Sequence, residues 1–204
     1  MGFFDQNVFP RINDFALGSE VDSLRAAVAG GARGRILEIG AGTGLNARHY
    51  PEGAEVVAIE PSEGMRRRAH ERLKSPNVRA SIDLRDGRVE ALPFDAASFD
   101  AVVITFVLCS VKNIGSALGE VRRVLRPGGE LRLVEHVKSP DPGVARWQRR
   151  VRPVWMMLLG GCDLCRDTES ELKRADFNTK GLESVKLPMP KLARAGLLGS
   201  AIRL

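Results

Sequence analysis

Short apolar runs recur along this chain, separated by segments whose apolar residues return every three or four positions. The runs read as buried strands, and the three-to-four spacing reads as helices packed on one face. Residues 35–40, 55–60, 78–84, 98–107 and 130–137 are the predicted strands, the fourth apolar enough to be buried on both faces. A helix over 19–30 begins at Ser19 and stops at Gly30-Gly31, because a serine oxygen accepts the first free amides and glycine ends a helix at little steric cost. Ser62 caps a second helix, to about residue 74, and Asn113 a third, through residue 125, which Arg126-Pro127-Gly128-Gly129 stops. Segments 179–187 and 197–204, joined by Pro188-Met189-Pro190, supply the last two strands. Strand and helix alternating in this order predict an α/β fold with a parallel, doubly wound sheet.

Two apolar stripes fall outside the sheet. Phe3, Phe4, Val8, Phe9 and Ile12 form one; Trp147, Val151, Val154, Trp155 and Leu158 form the other, with arginines between them and Pro153 expected to break or kink the helix. Core packing is the ordinary meaning of such stripes. Together they also suit a lid over an apolar pocket, and a basic amphipathic segment at 146–158 suits peripheral contact with anionic lipid. Residues 1–204 are expected to form one domain, with a ligand-binding core at 35–137 and lid or substrate segments at 1–30 and 138–178.

Chemistry enters at residues 37–44, Leu-Glu-Ile-Gly-Ala-Gly-Thr-Gly. Gly40, Gly42 and Gly44 let the backbone turn sharply and approach a ligand, having no Cβ. A dinucleotide loop is G-x-G-x-x-G, aimed at a pyrophosphate; here the third glycine comes one residue early and Glu38 lies inside the strand. The second strand ends in Glu60, where a carboxylate can accept both hydroxyls of an adenosine ribose. Pro61 and Met65 follow as a small apolar surface for a purine. A plain glycine turn and a solvated strand end are the alternatives. Both features fall at the carboxyl ends of strands, where open α/β sheets bind ligands.

Composition narrows the setting. At 44% apolar residues the chain is ordinary for a folded domain, and no segment approaches the roughly 20 apolar residues of a membrane span. Gln6 defeats a myristoylation motif, no signal peptide is evident, and three cysteines do not make a disulfide framework. A cytoplasmic location, with peripheral membrane contact as an option, is expected. The net charge of +6 sits largely in short arginine runs on helices, where a solvated face is the common meaning.

The G-x-G-x-G loop after an acidic strand resembles motif I of the class I S-adenosylmethionine-dependent methyltransferases. Glu90-Ala91-Leu92-Pro93-Phe94, Ser98-Phe99-Asp100 and the block Val121 to Gly129 resemble the rest of that pattern. Within the superfamily the chain is most similar to the methyltransferase-like thiol S-methyltransferases, through Gly42 to Asn46, Leu108-Cys109-Ser110-Val111, Glu135-His136-Val137, Trp147-Gln148, Trp155, and Gly161-Cys162 with Arg166. Quinone C-methyltransferases and bacterial phosphatidylethanolamine N-methyltransferases are more distant resemblances. Eukaryotic members of the nearer group begin with a hydrophobic anchor not seen here, so membrane residence is not expected.

The resemblance implies a Rossmann-like, seven-stranded methyltransferase sheet with helical lid segments and S-adenosyl-L-methionine as cofactor. It implies a cofactor site of Glu38, Gly40, Ala41, Gly42, Asn46, Glu60, Pro61, Met65, Gly87, Arg88, Val89 and Thr105. Phe9, Trp147, Trp155 and Arg166 are the candidate substrate contacts. Relatives place Gly-Asp-Ala before the Glu-x-Leu-Pro block, the acid near the adenine amine; this chain has Gly87-Arg88-Val89, with Asp86 two residues earlier. Either Asp86 substitutes, or main-chain groups near Val89 hold the ring.

Methyl transfer from a sulfonium is dominated by positioning. The Asn/Asp-Pro-Pro-Tyr signature of adenine-directed enzymes is absent from residues 105–109, as is a paired acid set for magnesium. Both absences predict a small acceptor and a metal-independent reaction. His136, at the end of strand five, is the candidate general base, with a structural histidine as the alternative. Cys162-Asp163-Leu164-Cys165 lacks a second pair or a nearby histidine for zinc, so it reads as a turn over the pocket. The expected function is methyl transfer to a small lipophilic acceptor, with a thiol favoured. N- or C-methylation of a phospholipid headgroup or quinone is the alternative. An RNA-binding module or RNA methyltransferase is a further class, opposed by the single tyrosine and the lack of a basic–aromatic platform, so no nucleic-acid partner is expected.

Overall fold

The computed structural model describes residues 21–204. Its strands are β1 Ile36–Ile39, β2 Glu55–Ile59, β3 Ser81–Arg85, β4 Phe99–Thr105, β5 Leu125–His136, β6 Phe177–Lys186 and β7 Ala195–Arg203. They form one seven-stranded sheet in the order β3-β2-β1-β4-β5-β7-β6, parallel except for β7. The helices are α1 Asp22–Ala29, α2 Glu63–Leu73, α3 Ile114–Val124, α4 Pro142–Leu158 and α5 Thr168–Arg174.

β1 pairs with β2 on one side and β4 on the other, and all four of its side chains are buried. Alternate residues face opposite layers: Leu37 and Ile39 join a core with Ile104, Leu118 and Val121, whereas Ile36 joins Val28, Val56, Val103 and Val134. A strand covered on both faces is largely apolar, as β1 and β4 are; the buried exceptions Glu38 and Thr105 accept hydrogen bonds from Asn46. The chain leaves β1 toward β2 and resumes at β4 on the far side, so a crevice opens where the strand order reverses. Ile39 lies opposite both Ile59 and Ile104. Gly40, Glu60 and Thr105, one step beyond, share that edge.

Ser62 Oγ accepts the Met65 amide at 3.4 Å and Asn113 Oδ1 the Ser116 amide at 3.1 Å, starting α2 and α3 as their sequences predict. Several boundaries differ. β3 starts at Ser81 because the Val78 amide closes a turn onto the Ser75 carbonyl at 3.0 Å. Arg126 to Gly129 form a bulge within β5: Leu125 pairs with Phe99 and Glu130 with Ala101. α4 begins at Pro142 because Asp141 accepts the amides of Gly143 and Val144 at 2.7 and 3.2 Å. It runs on through Pro153; that residue and Arg149 are exposed, where water can take the carbonyl left without an amide. Residues 168–174, expected within a lid, form α5, whose Leu172 is buried in the main core. Ser19 and the first apolar stripe lie outside the described residues. Among the described residues no helix is long and apolar enough to cross a membrane.

Candidate active site

The carboxyl edge of the sheet opens into a cavity of about 510 Å³, within the range of small-molecule sites. Gly40, Ala41, Gly42, Glu60, Met65 and Val89 line one wall; Phe106, Cys109, Val111, His136, Trp155 and Cys162 line another.

The glycine loop spends its own amides. Those of Gly40 and Ala41 both bond to the Ile59 carbonyl, at 2.9 and 3.0 Å, that of Gly42 to Glu60 Oε2 at 3.0 Å, and that of Gly44 to the Ala41 carbonyl at 2.9 Å. An anion-binding nest needs unpaired amides aimed at the ligand, so this loop does not fit a pyrophosphate. Gly40 sits at φ +69°, and a Cβ there would lie 2.4 Å from Val107 Cγ2. Glu60 is 8% exposed; Oε2 holds the Gly42 amide and Oε1 the Ser62 amide at 2.8 Å. Each oxygen keeps a lone pair for the cavity it lines. Burial pushes the Glu60 carboxyl above its ordinary pKa, opposed by the Ser62 and Gly42 amides. A diol donating two hydrogen bonds to that carboxylate satisfies it, which is the fit an adenosyl ligand offers.

Pro61, Gly87 and Arg88 also line this wall. Asp86 does not: its side chain is 71% exposed and pairs with Arg66 at 3.2 Å. Of the two expected ways to hold an adenine, Asp86 stands outside the cavity and Val89 lines it. Glu38 and Asn46 lie beneath the cavity rather than in it. Asn46 Nδ2 donates to Glu38 Oε1 at 2.8 Å and to Thr105 Oγ1 at 3.1 Å. Arg25, which the sequence reading missed, donates to Asn46 Oδ1 and Thr105 Oγ1, each at 2.9 Å, and reaches the cavity. Burial lowers the Arg25 pKa to about 10, so it stays charged opposite Glu38. This network ties α1, the glycine loop and β4 together. Its signal was present: Val21, Leu24, Arg25 and Val28 form one helical stripe with an arginine inside it.

The second wall is organised by Glu135, also missed. It is fully buried, and its carboxylate accepts the amides of Val107, Leu108 and Cys109 at 2.5, 2.8 and 3.4 Å. Burial pushes its pKa up to about 7, against the pull of those amides. The turn so fixed presents Cys109 beside His136 and Cys162, whose ligand atoms all lie within 4.8 Å of one another. His136 Nε2 is 2.7 Å from Cys162 Sγ, and Trp155 Nε1 donates to the same sulfur at 3.1 Å. Burial lowers the His136 pKa to about 4. The ring is therefore neutral and a weak base, which weighs against the expected general-base role. The Cys162 turn does have a nearby histidine, contrary to expectation, and its sulfur partner is Cys109 rather than Cys165.

Trp155 and Thr105 reach the cavity; Trp147 and Arg166 do not. Trp147 is 57% exposed and stacks with Arg150 at 5.4 Å. Arg166 donates to the Val111 carbonyl at 2.7 Å, pinning the loop from behind. Phe9 lies outside the described residues. Tyr50 packs in the core with Val28 and Val56.

Residues 37–133 match the profile of the methyltransferase domain family. The chain is 34% identical over 176 residues to the thiol S-methyltransferase TMT1A of Homo sapiens, spanning 82% of this chain and 70% of that protein. It is 34% identical over 128 residues to a phosphatidylethanolamine N-methyltransferase of Cereibacter sphaeroides, spanning 61% of this chain and 63% of that one. A solved S-adenosylmethionine-dependent methyltransferase of Thermotoga maritima, described as a possible histamine N-methyltransferase, superposes with TM-score 0.70 at 19% identity, covering 98% of both chains. The methyl donor is S-adenosylmethionine, and the chain belongs to the class I S-adenosylmethionine-dependent methyltransferases, similar over most of its length to the thiol S-methyltransferases among them.

Proposed function

We propose that this methyltransferase acts on a small lipophilic thiol. The observation that carries the reading is the second wall of the cavity: Phe106, Val107, Val111, Trp155 and Leu159 are apolar, and the reactive groups among them are two sulfurs and one imidazole. Such a wall holds a hydrophobic acceptor by burial. Similarity to the thiol S-methyltransferases supports the same acceptor. Bound S-adenosylmethionine supplies a methyl group on a sulfonium that is already a good leaving group. Glu60 and the main chain near Val89 hold the adenosyl part, and Trp155 orients the acceptor. His136 serves as a neutral positioning group.

A second reading, headgroup N-methylation at a membrane, is favoured by the outer face of α4. Trp147, Val154, Met157 and Leu158 are 57%, 57%, 76% and 58% exposed, with Arg146, Arg149 and Arg150 among them, the composition of a helix that lies on anionic lipid. Peripheral contact there is compatible with either acceptor. Incubation with methyl-labelled cofactor and a panel of alkyl thiols, amines, quinones, phosphatidylethanolamine vesicles and RNA tests the acceptor. Label in thiols is the expected result; label in quinones or amines and none in thiols overturns it. Trp147→Ser should weaken co-sedimentation with anionic vesicles and leave turnover of a soluble thiol unchanged.

A further inference from the structure

We propose that Cys109, Cys162 and His136 form a three-ligand zinc site whose fourth position faces the cavity and takes the acceptor thiol. The inference rests on the thiol reading only for what fills that fourth position.

Three elements far apart in sequence converge here: the turn after β4, the end of β5 and the turn after α4. All three residues are buried and all three line the cavity. Two thiols and an imidazole are the donor set that favours zinc over the harder divalent ions. Their ligand atoms lie within 4.8 Å of one another. Tetrahedral zinc, at about 2.3 Å from sulfur and 2.0–2.1 Å from nitrogen, separates its ligand atoms by roughly 3.5–3.8 Å. The contact of 2.7 Å between His136 and Cys162 must then open by side-chain rotation, toward a cavity with room for it.

The neighbouring acids do not complete the set. Glu135 is committed to three amides, and Asp163 is held by Arg152 at 2.9 and 2.8 Å. Among the described residues the group therefore has three ligands. Three protein ligands with an open position mark a catalytic rather than a structural zinc site. Trp155 Nε1, donating to Cys162 Sγ at 3.1 Å, is the outer hydrogen bond a ligating thiolate uses.

Coordination gives the acceptor what methylation needs. A thiol entering the fourth position is deprotonated by the metal, its proton passing to water. A lone pair on the bound sulfur then forms the new carbon–sulfur bond as the methyl–sulfonium bond breaks, that pair returning to the cofactor's sulfur. The products are a thioether, a poor zinc ligand that leaves, and neutral S-adenosylhomocysteine.

The full chain, stripped of metal by a chelator and kept reduced, is titrated with Zn²⁺ alone and with Co²⁺ as a spectroscopic probe. Wild type and Cys165→Ser should each bind about one equivalent with thiolate-to-cobalt absorption. Cys109→Ser and Cys162→Ser should lose more affinity than the about 10–100-fold that removal of an outer-shell partner costs. Calorimetry with S-adenosylmethionine should give wild-type affinity in every variant, which shows that each is folded. Adding a small alkyl thiol should shift the cobalt spectrum. If thiols are methylated at full rate in excess chelator and no stoichiometric metal binds, the site is overturned while the thiol reading stands. If metal binds but thiols neither shift the spectrum nor accept label, the role of the fourth position falls with the thiol reading.

Discussion

The two walls of the cavity are built on opposite principles. The cofactor wall is made mostly of backbone: a glycine loop whose amides are already paired, a main-chain segment at Gly87 to Val89, and one carboxylate at a strand end. Its parts follow the carboxyl ends of three successive strands, β1, β2 and β3. The acceptor wall is made of side chains from three distant segments, and it holds its shape through a buried acid that never reaches the cavity. The first geometry follows from local rules of chain and turn. The second exists only once the sheet has assembled. Changes in the cofactor wall should therefore appear as affinity for S-adenosylmethionine, and changes behind the acceptor wall as stability and turnover.

The largest effect expected is from Glu135→Ala. It leaves the amides of Val107, Leu108 and Cys109 without their acceptor, and each orphaned buried donor costs about 1–3 kcal/mol. A loss of about 3–5 kcal/mol in urea unfolding should follow, with cofactor affinity nearly unchanged in the folded fraction. A loss below about 1 kcal/mol would show that the turn holds itself, and the contrast between the walls would break down.

Glu60→Ala probes the other wall. Losing charge-assisted hydrogen bonds to a ribose should cost roughly 1.5–3 kcal/mol of binding, about ten- to a hundredfold in dissociation constant. Folding stability should fall less than in Glu135→Ala, because the Gly42 and Ser62 amides that lose their acceptor line the cavity, where water can replace it. Wild-type cofactor affinity by calorimetry, in a folded variant, would return Glu60 to the role of a capping acid for Ser62 and Gly42.

The contrast also explains what the sequence made legible. The glycine spacing, the acid of Glu60, and the capping residues Ser62 and Asn113 act within a few residues of where they sit, so their meaning is local. Arg25 was legible in principle, as a charge within an apolar stripe. Cys109 and Cys162 were not: no spacing rule joins residues 53 apart, and the visible pair, Cys162 and Cys165, was the wrong one. Trp147 and Trp155 share one stripe but stand about 80° apart around a helix of 3.6 residues per turn. Only packing decides that the second turns into the cavity and the first stays outside. Arg166 matched a family pattern, and its guanidinium instead supports the Val111 carbonyl.

The smallest expected effect sharpens the comparison at the cofactor wall, where even the supporting side chains serve the backbone. On α3, Glu120 accepts the Leu92 amide at 2.7 Å and pairs with Arg123, which donates to the carbonyls of Leu92 and Phe94 at 2.9 and 2.7 Å. This clamp holds the segment that follows Gly87 to Val89. Arg123 holds the Glu120 carboxyl below its ordinary pKa, with the Leu92 amide helping against partial burial. In the unfolded chain the carboxyl returns to about 4.3, so unfolding takes up a proton in acid. The stabilisation is thus complete above that value and is lost as pH falls through the lower folded pKa. Because the pair is only partly buried and water screens it, Glu120→Gln should cost only about 0.5–1 kcal/mol at pH 7. The gap between the urea curves of wild type and variant should close as the pH drops below about 4. A gap that stays constant from pH 7 to 3 would mean that the clamp works through hydrogen-bond geometry alone, and charge would then have no part in supporting the cofactor wall from below.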